Sequence, residues 1–280
     1  MKVLIIQEAG HHKENAEYRE CFSLERAFIN NGWQPLVYGK GHPSWNEKID
    51  FDSFDFILNL ENYDSNWLPN LANYNKAYKM LWSIDAHCRG LEYYNQIFKD
   101  GKYNLLLHST IDYVTEKHTR WFPNAFCDKK IVKINTKKEI PFAFVGNYVN
   151  RKPLLDFLTE KYNLQQFVFV IGDQMVEVIN KSKIHFNKNM ANDLNYRNFE
   201  TIGCGTCLLT DENKMYKDLG FKDMENVAFY KDMPSLIEKL NVLFNDDALV
   251  ERIGQAGYEL SRKNTYTERV KDLISHLRTV

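Results

Sequence analysis

Arg197 and Glu200 stand three residues apart in the run Arg-Asn-Phe-Glu-Thr-Ile-Gly-Cys-Gly. On a helix that spacing puts both on one face, and Phe199 and Ile202, also three apart, on an apolar face that can pack on a sheet. An arginine and a glutamate near a helix start suit a nucleotide. The glutamate can accept hydrogen bonds from two ribose hydroxyls. The arginine and the N–H groups of the helix start can hold a pyrophosphate. The alternative is an intrahelical ion pair that serves no ligand.

The stretch 183–211 supplies the elements that would position this pair. Ile184, His185 and Phe186 read as a short strand, and residues 187–192 as a polar loop. Asn192 or Asp193 reads as the cap of a helix running to about Gly203, and residues 207–210 read as the next buried strand.

Two further segments carry the same chemistry. In residues 144–152 a strand ends in Gly146, Asn147 follows, and Arg151 and Lys152 fall at the start of the next helix. Gly146 lets the backbone come close to a phosphate, and the basic pair adds charge there. Near the C-terminus stands Thr265-Tyr266-x-x-Arg269. A Gly-ended strand, a basic pair, R-x-F-E-x-x-x-C-G and T-Y-x-x-R, in that order, resemble the glycosyltransferases of the spore maturation protein CgeB-like group. These are similar to the GT4-type, GT-B-fold sugar transferases. The resemblance is clearest over residues 141–280 and extends back to about Leu81, through Trp82-Ser83-Ile84-Asp85 and Phe122-Pro123-Asn124-Ala125.

The resemblance implies a GT-B-like α/β fold: two doubly wound Rossmann-type domains facing a cleft. It implies transfer of a sugar from a nucleotide-sugar donor, with a retaining outcome and no metal. No cofactor is expected beyond the co-substrate, for which a UDP-sugar is the expected donor and a hexose the expected sugar. Arg151 and Lys152 would take the pyrophosphate and Glu200 the ribose, with Gly146, Asn147, Arg197 and Tyr266 also on the donor side. GT4-type enzymes often carry a second glutamate eight positions before the ribose one, against the donor sugar. Here Asn192 stands there, an amide that can bond a hydroxyl but not stabilise positive charge. Asn264 likewise replaces the histidine that commonly precedes T-Y-x-x-R.

The N-terminal half offers acceptor-side groups. Residues 2–7 read as a first parallel strand, followed by a loop with Gly10, His11 and His12. Residues 79–85 read as a fourth strand, with Asp85 at its C-terminal end and His87 just after it. Ligands of open α/β folds collect at such strand ends, and a histidine can take a proton near neutral pH. His11, Asp85 and His87 are the candidate catalytic residues.

Strands also read at 34–38, 55–59, 103–108, 142–145, 166–171 and 227–230. Helices read at 16–31, 111–120, 153–162, 174–181, 233–244, 246–262 and 267–277. This alternation argues for two parallel-sheet domains. The expected division is 1–135, 139–263 and a terminal helix, 264–280, packing back across the domains, with the lysine-rich 128–138 as linker.

The 280 residues carry 36 basic and 37 acidic side chains, net −1, which gives no global pull toward nucleic acid or an anionic membrane. No apolar run reaches spanning length, so no stable membrane insertion and a cytoplasmic location are expected. Five scattered cysteines do not suggest a disulfide framework. Cys204 and Cys207 form a C-x-x-C, but Cys204 falls at a helix C-terminus, where the dipole does not favour a thiolate. Asp246-Asp247 reads as a helix cap, and no metal site is assigned. A two-domain nucleotide or sugar-nucleotide binding protein without transfer chemistry is the main rival reading. A sugar-nucleotide epimerase and a thiol oxidoreductase stand behind it. The acceptor (glycan, protein, modified nucleic acid or small molecule) and the oligomeric state are left open.

Overall fold

Short apolar strands begin the chain, as a sheet covered on both faces requires. A computed structural model describes residues 1–279. β1 (Lys2–Ile6) leads through α1 (Glu20–Asn30) to β2 (Gln34–Tyr38), then to β3 (Phe56–Leu60) and β4 (Tyr78–Ser83). Two helices, α2 (Ala86–Arg89) and α3 (Leu91–Asp100), precede β5 (Leu105–His108), and β6 (Thr119–Trp121) closes the sheet. All neighbours are parallel, in the order β2-β1-β3-β4-β5-β6.

The pattern then restarts. β7 (Ile140–Val145), α4 (Lys152–Tyr162), β8 (Gln165–Phe167), α5 (Gly172–Lys181), β9 (Ser182–Phe186), α6 (Tyr196–Gly203) and β10 (Cys207–Asp211) follow one another. α7 (Met215–Asp218), β11 (Ala228–Tyr230), α8 (Met233–Phe244) and α9 (Asp247–Ser261) complete this part. The second sheet is also all parallel, in the order β11-β10-β9-β7-β8. Counted from its own first strand it has the same winding as the first sheet. In each, the order reverses beside the first strand, β1 or β7, and ligand crevices form at such points.

The last helix, α10 (Tyr266–Leu277), belongs to the first sheet's unit. It lies against α1, with Asn30 and Asn31 donating side-chain hydrogen bonds to Thr267, both at 3.1 Å. The two compact units are Met1–Cys127 with Ala191–Asp193 and the stretch from Tyr266, and Asp128–Met190 with Leu194–Thr265. Among the described residues no helix is long and apolar enough to cross a membrane. All five cysteines are free. Asp246 caps α9 by accepting from the Leu249 N–H at 2.8 Å.

Four sequence expectations need correction. Residues 111–120 are not a helix but a single turn at 111–113 followed by β6. Thr119 bonds the backbone of Glu116 with its own hydroxyl, which closes a turn, and pairing with β5 then takes over. The strand expected over 166–171 stops at Phe167, because Phe169 has a φ of +60° that no strand tolerates. The helix expected to start at Asn192 or Asp193 starts at Tyr196, capped by Asn195. Residues 128–138 are no free linker: Ile131 is buried, and the Ile134 N–H donates to Asn180 Oδ1 at 2.7 Å.

Phe186 is fully buried, with the rings of Tyr230 and Phe142 at 5.8 and 6.2 Å. Phe186→Ala should cost about 3–5 kcal/mol of stability, read as a fall in the urea midpoint at unchanged slope.

Candidate functional site

The second unit's site grows from the end of β7. The ladder to β9 stops at Ala143 and His185. Beyond it, side chains take the backbone groups of Val145. Its N–H donates to His185 Nε2 at 3.2 Å, and its carbonyl accepts from Arg197 Nε at 3.0 Å. His185 Nδ1 lies 2.7 Å from Thr201 Oγ1, whose proton goes to the Arg197 carbonyl at 2.6 Å. These roles assign His185 as the neutral Nδ1–H tautomer. Full burial first, and the nearby Arg197 charge second, hold its pKa well below the usual histidine range.

Arg197 also donates to the Glu200 carboxylate at 2.5 Å and contacts the Met175 sulfur. Both side chains of the pair are largely covered, at 18 and 15% exposed. The arginine thus fixes the direction of the glutamate while presenting positive charge beside Gly146. Gly146 has a φ of +155°, a conformation that side chains other than glycine's rarely adopt. The Asn147 side chain accepts the Val149 N–H at 2.9 Å and turns the loop toward α4. Arg151 stands at the N-terminal boundary of that helix and is tied back through Nε to the Lys188 carbonyl and through Nη1 to the Asn147 carbonyl, each at 2.9 Å. Burial lowers its pKa, yet it remains a cation at neutral pH. Lys152 is exposed and pairs with Asp156 at 2.6 Å.

Beneath α6 lies a buried polar network. Asn198 Oδ1 accepts from Asn187 Nδ2 and from the Tyr216 hydroxyl, both at 2.8 Å, and its Nδ2 donates to Asn189 Oδ1 at 2.7 Å. Asn189 donates its N–H to Asp211 at 2.7 Å. Loop, helix and β10 are therefore locked by groups that satisfy one another in low dielectric.

The first unit has its own strand-end cluster. His11 is exposed, its ring 4.6 Å from that of Tyr63, whose N–H donates to Glu8. Glu61, at the end of β3, accepts from Arg89 Nε at 2.8 Å, from the Asp85 N–H at 2.9 Å and from the Tyr94 hydroxyl. It holds the turn carrying Asp85 and His87. Crowding by protein, then Glu61 and Glu20, raises Asp85 to about 6, while Arg89 opposes. Burial lowers His87. Asp85, His87 and Asp193 have ligand atoms within 4.8 Å of one another, a donor set that could hold a metal ion.

The structure thus gathers Gly146, Asn147, Arg151, Arg197 and Glu200 around the end of β7 and α6, leaves Lys152 on the first turn of α4 with its ammonium on Asp156, and holds Asp85 and His87 in one turn. Asn192, expected at the donor sugar, bonds Asp112 and groups with the first unit. Tyr266 is buried in that unit, edge-on to Trp82 at 6.1 Å. Sequence reasoning missed Glu61, Asp193, His185 and the asparagine network. Only the network had a signal, five asparagines within residues 187–198.

Two parallel α/β sheets of the same winding are the two Rossmann-like units of the GT-B fold. Residues 129–275 match the glycosyl transferase-like family, and the chain belongs to it. Solved structures with this fold include sucrose-phosphate synthase from Thermosynechococcus elongatus, 10% identical, with a TM-score of 0.67 and all of both chains covered. HepE of Anabaena in complex with UDP-glucose is 9% identical, with a TM-score of 0.70 and full coverage of both chains. An alpha-glucosyltransferase in complex with UDP and a 13-mer DNA is 13% identical, with a TM-score of 0.70 over 99% of this chain and 100% of that one. No curated protein sequence gives a significant match.

Asn198→Ala leaves several buried partners unsatisfied. It should cost about 1–3 kcal/mol by urea unfolding, while exposed Lys152→Ala shifts the midpoint by no more than about 0.5 kcal/mol.

Proposed function

We propose that this glycosyltransferase takes its sugar from a nucleotide-sugar donor, a UDP-hexose, and transfers it with retention and without a metal. The carrying observation is the Arg197–Glu200 pair, partly buried and anchored on Val145 beside the open backbone of Gly146. Glu200 receives the ribose hydroxyls. Arg197, Arg151 and Lys152 supply fixed positive charge where the leaving diphosphate gains negative charge. The donor phosphate assists loss of the acceptor proton, and Asp85 and His87 stand on the acceptor side. The R-x-F-E and T-Y-x-x-R segments support placement in the CgeB-like subgroup. The binding-protein alternative keeps Glu200 but needs no group such as Asp85.

A panel of nucleotide sugars, with calorimetry for binding and chromatography for diphosphate release, tests the reading. One donor should bind selectively and be slowly hydrolysed. Glu200→Ala should weaken that donor about tenfold or more, since hydrogen bonds to a charged group are lost. Tight binding without release, whatever acceptor is supplied, would instead fit a binding protein.

With the acceptor in hand, kcat/KM should fall as pH drops through about 6, where Asp85 takes up a proton. Asp85→Asn should be slow at every pH and lack that limb. A limb unchanged in the variant would remove Asp85 from the mechanism.

A further inference from the structure

The second unit has a cavity of about 720 Å³ at the N-terminal ends of its strands, opposite the strand ends that carry Gly146. The first residues of β9 and β10, including Lys183 and Cys207, form its floor. Residues 133–138, just before β7, form one wall and α9 the other. Asp247, Glu251, Gln255 and Tyr258 recur along α9 at four, four and three residues, so one helix face looks onto the cavity. The helix can come this near because residue 254 is glycine. A Cβ there would sit 2.9 Å from the Gly205 carbonyl oxygen.

The charges are unevenly matched. Lys183 pairs with Asp247 at 2.7 Å. Among the described residues neither Lys133 nor Lys138 is in an ion pair, and Glu251 is the remaining carboxylate on the lining. Lys133 donates to the neutral Gln255 Oε1 at 2.6 Å and lies 5.0 Å over the Tyr258 ring. Lys138 Nζ donates to Thr206 Oγ1 at 2.7 Å, and that hydroxyl sends its own proton to the Ile179 carbonyl at 2.6 Å. An ammonium has three N–H groups, so Lys138 keeps donors for a ligand. Burial first, and the neighbouring Lys133 charge with it, bring its pKa down to about 8, against the opposing pull of Cys204 and Cys207. Val250, Tyr258 and the two thiols give the cavity apolar surface.

We propose that this cavity is a second binding site, separate from the nucleotide site, for a small organic anion. The acid group meets Lys138 and Lys133, and the apolar body lies along Val250 and Tyr258. The size suits such a ligand, since small-molecule sites span about 300–1,000 Å³ with few polar groups on an apolar lining. An anion also relieves the cost of keeping the Lys138 charge out of water.

The fluorescent probe 8-anilinonaphthalene-1-sulfonate, an anion with an aromatic body, tests this on the full chain. It should show one saturable site that UDP does not displace. Lys138→Met should weaken binding about tenfold, the size of a lost charged hydrogen bond. Affinity for the unaltered chain should fall as pH rises through about 8, where the ammonium loses its proton, and Lys138→Met should lack that fall. Thr136→Trp, at a half-buried wall position, should block the cavity without touching a charge. Absence of a saturable site, displacement by UDP, or full binding by either folded variant would overturn the proposal.

Discussion

The Arg197–Glu200 site of this protein depends on one peptide group, that of Val145 at the end of β7. Its N–H and carbonyl lie where the ladder to β9 has ended, at the reversal of strand order. Left buried and unmade, each would cost about 1–3 kcal/mol. His185 and Arg197 take them instead. A protonated His185 would have no lone pair for the Val145 N–H, so burial and the neighbouring guanidinium, which keep the ring neutral, also preserve the clamp. Arg197 then orients Glu200, and the asparagine network fixes the helix that carries both.

Much of the architecture was legible. Apolar runs marked most strands of both sheets, and α8 was found at both ends, because continuous hydrophobicity and caps are local signals. The misplaced elements were decided by non-local events. Residues 111–120 have a plausible helical pattern, but the open edge of β5 offers Thr119–Trp121 a ladder. Asn192, Asp193 and Asn195 are all good cap residues. Contacts of Ala191–Asp193 with the first unit leave Asn195 to start α6.

The site was legible to the same depth. Arg197 and Glu200 share a helix face, so their spacing revealed them. Glu61 and Asp85 lie 24 residues apart in sequence and meet only because β3 and β4 are neighbours. His185 looked like any polar residue of a strand. Its importance lies in which atoms it joins, and spacing carries no trace of that. The two strand-end clusters also differ in character. Around β7 and α6 positive charge is held in place, whereas at Asp85 burial and then the neighbouring carboxylates oppose ionisation.

The course of the chain affects its synthesis. α10 completes the first unit by covering α1 and bringing Tyr266 to Trp82, yet it is made only after the whole of the second unit. On the ribosome the first unit therefore waits, with an apolar flank uncovered, while residues 128–265 emerge and can fold. The N-terminal half is the last to be finished. A nascent chain stalled before Tyr266 would carry a complete second unit and an incomplete first one, exposed to chaperones and proteases at that flank.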